Sequence, residues 1–158
     1  LTRYLNYMLQ KSSNEKQIAG IMMDINAFKE INDVYGHSEG DTALRIVGQC
    51  LMDVLSGDQF AVRYGGDEFI VILTIHQKKE IDVVIHQICQ KIERLNNTDV
   101  RPYRISLSMG SAILQPGGES IDSFLRQMDE HMYQNKRAYY SDSKNDRRRT
   151  GRISSSVK

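Results

Sequence analysis

The sequence has only two cysteines, almost no excess charge and no long apolar run. The cysteines, Cys50 and Cys89, lack CxxC spacing and fall in apolar-periodic segments, so we expect two free helix-face thiols rather than a disulfide or a metal site. The formal net charge of +1 supplies no strong field for a nucleic acid backbone. No apolar run approaches the roughly 20 residues of a membrane span, and no signal peptide precedes the first helical pattern. Together these absences predict a cytoplasmic domain that does not bind nucleic acid.

Length and composition along the chain indicate one folded domain. A chain of 158 residues is long enough to form a single hydrophobic core. Apolar residues recur at regular spacing up to Tyr140, whereas the segment after it is polar and basic with no apolar period. We therefore expect a domain over residues 1–140 and a disordered tail over residues 141–158. Because the chain begins at Leu1 rather than Met, we expect a longer protein whose missing part holds a sensor or a membrane anchor.

Hydrophobic periodicity predicts the order helix, strand, helix, helix, strand, strand, helix, strand, helix. The almost continuously apolar run at 18–25 is typical of a strand buried on both faces, with Asp24 near its end. Two apolar runs flank Gly65-Gly66, which predicts a hairpin whose glycines take positive φ. Alternation over residues 103–109 predicts the last strand. This pattern favours an α/β or α+β sandwich with helices on the sheet.

Acidic residues at the ends of predicted apolar strands indicate a cation site. Asp24 ends the first strand, and Asp67 and Glu68 directly follow the hairpin glycines, so the carboxylates meet if these strands are neighbours. Mg²⁺ prefers oxygen ligands and takes one or two protein carboxylates beside phosphates and waters. Either aspartate alone is explained more readily by strand-end capping and turn chemistry than by a cation. The glycines favour the cation site, because they let a phosphate or sugar approach the backbone closely.

Two sequence blocks resemble the signature motifs of one enzyme family. Residues 63–69 read RYGGDEF, and residues 24–33 read DINAFKEIND, followed by Gly36-His37 and Gly40-Asp41. This combination resembles the GGDEF family of diguanylate cyclases, and weaker agreement extends the resemblance over about residues 1–140. It implies a fold like the palm of nucleotidyl cyclases and polymerases. In that fold a central, mostly antiparallel sheet of about five strands is flanked by helices.

The resemblance implies a metal-dependent nucleotidyltransferase. Two ions per active site, Mg²⁺ or Mn²⁺, would be held by Asp24, Asp67 and the backbone carbonyl of Ile25. Asp67 would also be catalytic, with Glu68 supporting the site, and which carboxylate takes the proton stays open. The implied reaction condenses two GTP molecules into cyclic di-GMP and pyrophosphate. Each domain would bind one GTP, so a transient homodimer with a second copy of the domain is required.

The resemblance also implies which residues bind GTP. Asn32 and Asp41 would read the guanine edge, and a carboxylate suits the ring N–H and exocyclic amine that adenine lacks. Phe28 would face the triphosphate through its backbone N–H and Lys29 through its charge. Lys136, in the last helix, would reach the terminal phosphates.

The match fails at the end of the last helix. Tyr139, Tyr140 and Ser141 stand where the family has the Gly, Arg and Asn of a K..GRN-like ending. Tyr140 cannot replace a bidentate arginine clamp, which predicts weaker GTP binding. The alternative function is therefore a catalytically weak or silent GGDEF domain that binds GTP and passes a signal to a neighbouring domain.

Two smaller departures lie elsewhere. Asn26 replaces the second acidic residue of the first block, a position that is not a primary metal ligand in the family. Ser56 and Gln59 replace the charged residues of the RxxD product-inhibition site. We therefore expect no high-affinity feedback inhibition by cyclic di-GMP at that surface.

Overall fold

A computed structural model describes the backbone of residues 1–11, 16–115 and 120–153, and the side chains of residues 1–7, 16–115 and 120–142. The elements follow the predicted order. They are α1 (Thr2–Lys11), β1 (Gln17–Ile25), α2 (Phe28–Tyr35), α3 (His37–Val54), β2 (Phe60–Arg63), β3 (Glu68–Ile75), α4 (Lys79–Thr98), β4 (Leu107–Leu114) and α5 (Ile121–Ile153).

The strands form one antiparallel sheet in the order β2-β3-β1-β4. Within the described ranges the sheet has four strands, one fewer than the resemblance implied. The last strand begins at Leu107 and not at residue 103. Asn96 on α4 explains the difference, because its side chain accepts the N–H of Ile105 at 2.8 Å and donates to the Ile105 carbonyl at 2.7 Å. Those backbone groups therefore have partners outside the sheet.

Helices cover both faces of the sheet, which confirms the predicted sandwich. On one face α2, α3 and α4 pack on Ala19, Ile21, Met23 and Ile25 of β1. On the other face α1 and α5 pack on the alternate residues of the same strand. Since successive side chains of a strand point to opposite faces, β1 is buried on both sides, as its continuous apolar run predicted.

Helix α5 lies directly on β4 because the strand has a glycine at the contact. A Cβ added at Gly110 would collide with the backbone of α5 at Met128 and Met132. Asn135 Oδ1 accepts the backbone N–H of Met109 at 3.1 Å, which fixes the helix along the strand. This close seat places Lys136, the next residue of α5, at the end of the sheet where β1 finishes.

The hairpin turn differs from the expected one. Among the described residues, positive φ occurs at Ala27, Gly36 and Gly57 and not at Gly65 or Gly66, so the prediction of positive φ at the turn was wrong. The connection between β2 and β3 spans residues 64–67 and is longer than the two-residue loops that require such angles. Arg63 closes it instead, donating from Nε and Nη2 to the Gly66 carbonyl at 3.1 and 2.8 Å.

The C-terminal helix runs further than the sequence suggested. Its backbone stays helical to Ile153, within the segment for which a disordered tail was expected, and residues 154–158 lie outside the described residues. Arginine and lysine, frequent in this segment, have high helix propensity and so sustain the helix without an apolar face. The domain boundary at residue 140 stays a prediction. No helix in the described ranges is both long and apolar enough to cross a membrane.

Candidate functional site

Three carboxylates meet at the end of β1. Asp24 lies opposite Glu68 of β3 in the sheet register, and its side chain is buried. The backbone N–H of Ile25 donates to the Asp67 carbonyl at 3.3 Å, which ties the hairpin turn to the strand. The structure thus brings Asp24, Asp67 and Glu68 together, as the sequence predicted from strand adjacency.

Burial and neighbouring negative charge raise the pKa of Asp24 and of Glu68. Burial raises the pKa of Asp24, a hydrogen bond from Lys136 opposes this, and the charge of Asp67 raises the pKa again. The pKa of Glu68 is raised by burial first and then by the charges of Asp24, Asp67 and Asp129. Both net shifts are upward, so the ionised cluster is disfavoured until positive charge joins it.

Lys136 supplies part of that positive charge. Its Nζ lies 2.8 Å from both Oδ1 and Oδ2 of Asp24. Burial alone would lower the pKa of Lys136, but the hydrogen bond and charge of Asp24 outweigh it and raise the pKa. The resemblance placed Lys136 at the terminal phosphates, whereas in the structure it contacts the carboxylate expected to hold a metal ion.

The donor set fits a hard divalent cation. Asp24 and Asp67 offer carboxylate oxygens and Ile25 offers a backbone carbonyl, the ligand types that Mg²⁺ accepts. The described residues contain no group of three or more His, Cys, Asp or Glu side chains suited to a metal ion.

The turn after β1 is held by a buried polar network that the sequence analysis missed. Asn26 Nδ2 donates to Ser106 Oγ at 3.0 Å, and Ser108 Oγ donates to Asn26 Oδ1 at 2.6 Å. The backbone N–H of Asn26 also donates to the Ser106 carbonyl at 2.9 Å. The available signal was the replacement of an acidic residue by Asn26 together with two serines near the last strand. An amide both donates and accepts, so it satisfies both hydroxyls.

The next residue, Ala27, leads into the first turn of α2. Ala27 has φ 56° and ψ 28°, the left-handed region, and directly precedes α2. Its backbone N–H donates to the hydroxyl oxygen of Tyr140 at 3.1 Å. Phe28 and Lys29 follow in the first turn of α2, the former half-buried and the latter exposed. Helix N-termini offer unpaired N–H groups and positive potential, which suits an anion.

A cleft of about 340 Å³ borders the hairpin and α3. It is lined by Asp41, Leu44, Arg45, Arg63 and Phe69. Two apolar side chains, two arginines and one carboxylate line it, and the carboxylate can accept hydrogen bonds from the N–H groups of a planar base. Of these residues only Asp41 was predicted, although Arg63 and Phe69 are part of the RYGGDEF block.

Asn32 reaches this region because α3 carries a glycine beside Asp41. The space that a Cβ of Gly40 would take is occupied by Asn32 Oδ1. Asn32, one of the two side chains predicted to read guanine, therefore packs against the backbone of α3 one residue before Asp41, the other. Tyr103 also contacts the start of α3. Its hydroxyl lies 3.1 Å from the backbone carbonyl oxygen of Glu39 and 2.9 Å from Glu39 Oε2, and it donates to these acceptors.

Comparison with known proteins agrees with this arrangement. The family model described as "Diguanylate cyclase, GGDEF domain" matches residues 1–141. Diguanylate cyclase DosC of Escherichia coli is 34% identical over 119 residues, which cover 74% of this chain and 26% of DosC. The GGDEF domain of DgcB from Caulobacter crescentus, solved in complex with c-di-GMP, is 28% identical with a TM-score of 0.75. That match covers 87% of this chain and 81% of the DgcB chain.

Relatives with other names match at similar identity. Cyclic di-GMP phosphodiesterase NbdA of Pseudomonas aeruginosa is 30% identical over 121 residues, covering 77% of this chain and 16% of NbdA. The chain therefore spans about a quarter or less of the length of these curated relatives. The family model nevertheless matches most of the chain, and the motif residues converge at one end of the sheet. The chain belongs to the GGDEF domain family of diguanylate cyclases.

Proposed function

We propose that this domain is a diguanylate cyclase that condenses two GTP molecules into cyclic di-GMP and pyrophosphate. The observation that carries the proposal is the meeting of Asp24, Asp67 and Glu68 at the end of β1, next to a base-sized cleft containing Asp41. Both parts border the β2–β3 hairpin, so a nucleotide whose base enters the cleft has its phosphates near the carboxylates.

The carboxylates would hold two divalent ions, Mg²⁺ or Mn²⁺. Such ions lower the pKa of a ribose 3′-hydroxyl and stabilise charge on the α-phosphate and the leaving pyrophosphate. Asp24, Asp67 and the Ile25 carbonyl are the proposed ligands. Asp67 would act as the general base with Glu68 supporting the site, or Glu68 would take the hydroxyl proton itself.

The remaining proposed residues hold the nucleotide. Asn32 and Asp41 accept and donate at the guanine edge, which favours GTP over ATP. The backbone N–H of Phe28 and the charge of Lys29 face the triphosphate. Lys136 turns from Asp24 to the terminal phosphates once Asp24 is neutralised by cations, because an ammonium group prefers the greater negative charge.

Catalysis requires two copies of the domain. Each site holds one GTP, and each ribose hydroxyl attacks the α-phosphate bound by the partner, so the reacting complex is a two-fold, transient homodimer. An N-terminal sensor or regulatory domain outside this chain would control that encounter. We place the reaction in the cytoplasm, where GTP is available.

Incubation with GTP and Mg²⁺ or Mn²⁺ at high protein concentration tests the proposal, with products resolved by chromatography and mass. High concentration is needed because isolated domains must meet to react. Cyclic di-GMP should form with the unchanged domain and with Asp58→Ala, an exposed acid before the hairpin. It should vanish in Asp67→Ala. Product from Asp67→Ala would contradict the assigned site.

A GTP-binding regulatory module is the second candidate, and two contacts favour it. Lys136 occupies both oxygens of Asp24, and Tyr140 stands in place of the phosphate-clamping arginine. Some relatives are also named as phosphodiesterases. GTP that binds but stays unconverted, even when two domains are fused to enforce dimerisation, would establish this second function.

A further inference from the structure

The hydroxyl of Tyr140 accepts a hydrogen bond from a backbone N–H at the edge of the proposed nucleotide site. The Ala27 N–H donates to the Tyr140 hydroxyl oxygen at 3.1 Å, across 113 residues of sequence. Tyr140 lies one helical turn after Lys136, so both side chains leave the same face of α5. One of them binds Asp24 and the other binds the turn that follows Asp24.

The Ala27 N–H is a group that a phosphate would use. It directly precedes the first turn of α2, where unpaired N–H groups favour anions. A phosphate oxygen and a tyrosine hydroxyl oxygen accept the same kind of hydrogen bond from such a donor. The two acceptors cannot share one N–H at full strength, because each requires a nearly linear geometry.

We propose that Tyr140 is a specificity-determining residue that competes with nucleotide phosphate for the Ala27 N–H. This inference rests on the proposed function, since it assumes that GTP binds with its phosphates at the start of α2. Nucleotide binding then requires the hydrogen bond between the Ala27 N–H and Tyr140 to break. This cost lowers the affinity for nucleotide, and the absence of the arginine charge lowers it further.

The turn does not depend on Tyr140 for its shape. Asn26 is anchored by Ser106 and Ser108 through three hydrogen bonds. The Ala27 carbonyl accepts the first bond of α2 from the Ile31 N–H at 3.0 Å. Removal of the Tyr140 hydroxyl should therefore free the amide and leave the turn in place.

Calorimetric titration of the domain with 3′-deoxy-GTP and Mg²⁺ tests the inference, because this nucleotide has no 3′-hydroxyl and is not converted. Tyr140→Phe keeps the ring and removes the hydroxyl, and it should bind about 2- to 10-fold more tightly, the range for one net hydrogen bond. Tyr139→Phe is the matched control, since Tyr139 is similarly exposed and its ring contacts Tyr140. The control should bind like the unchanged domain.

The outcomes separate this inference from the function on which it rests. Unchanged or weaker binding by Tyr140→Phe, with normal binding by the unchanged domain, overturns the inference alone. Absence of binding by both proteins rejects the proposed function and the inference with it. Amide hydrogen exchange in the nucleotide-free domain adds a second measurement. The Ala27 N–H should exchange severalfold faster in Tyr140→Phe, and equal exchange would show that the hydroxyl does not protect it.

Discussion

The carboxylate end of β1 and the cleft at the α2–α3 junction both border the β2–β3 hairpin, but they are organised by different forces. At the first, Asp24 and Glu68 are partly withheld from water and repel each other. At the second, the missing Cβ of Gly40 leaves room for Asn32 beside Asp41. Charge thus controls one region and packing the other. Under the proposed function, the first region would need bound cations to act, whereas the packing of the second does not depend on them.

Removal of one carboxylate should break the first region most strongly. Asp24→Asn should lower cyclic di-GMP formation by more than about 100-fold, because a proposed ligand of the cations that would stabilise the reacting phosphate is lost. The free energy of unfolding should change little, because relief of the disfavoured charge on Asp24 is offset by loss of the ion pair that raises the pKa of Lys136. Product assays and urea unfolding measure the two effects. Asp58→Asn is the matched control and should keep its activity. Retained activity in Asp24→Asn would show that Asp24 is not a metal ligand.

The packing of α5 on β4 should give the next largest effect, because that helix brings Lys136 to the carboxylates. Gly110→Ala should lower the free energy of unfolding by about 1–3 kcal/mol, because the new methyl group forces the helix backbone away from β4. Gly48→Ala is the control. It lies in α3 with nothing within 4 Å of an added Cβ, and it should stabilise by roughly 0.5–1 kcal/mol. Equal urea midpoints for the two variants would contradict the close contact.

The packing-controlled region should respond to its own glycine. Gly40→Ala should displace the Asn32 amide from the start of α3 and weaken GTP binding by about 2- to 10-fold, the effect of one hydrogen bond, with little change for ATP. Calorimetry with both nucleotides measures the selectivity. Ser38→Ala, an exposed change in the same turn of α3, should leave it unaltered. Loss of affinity for both nucleotides alike would point to general unfolding of the junction.

The smallest expected effect is a pH dependence confined to the charged region. Because the pKa of Glu68 is raised above its ordinary value, the folded state holds that proton more tightly than the unfolded chain. The stabilisation is full below the ordinary carboxylate pKa of about 4.3 and is lost as pH rises through the raised value. Glu68→Gln should therefore gain stability relative to the unchanged domain as pH rises above that point, in metal-free buffer.

Unfolding measured across pH 4 to 8 would reveal this difference, and added Mg²⁺ should reduce it by neutralising the carboxylates. A constant difference at every pH would mean that Glu68 is not destabilised by its neighbours. The control is Asp58→Asn, which lies away from the cluster.

The fold followed closely from local patterns. The order of elements, the burial of β1 on both faces and the meeting of Asp24 with the hairpin all came from periodicity and adjacency. Two expectations failed where local pattern was insufficient. The glycines of the turn do not take positive φ because Arg63 closes a longer connection. Alternation before Leu107 is not a strand because Asn96 satisfies the backbone of Ile105.

The sheet sandwich could be predicted from short-range periodicity and the acidic cluster from its place beside the strands, whereas the guanine-binding candidates came from the resemblance to the GGDEF family and stay a prediction. The ion pair between Lys136 and Asp24 and the hydrogen bond between the Ala27 N–H and the Tyr140 hydroxyl could be found only in the folded structure. These contacts join residues 112 and 113 positions apart. Both contacts arise because α5 packs closely on β4. This packing joins distant segments, so no periodic pattern in the sequence predicts it.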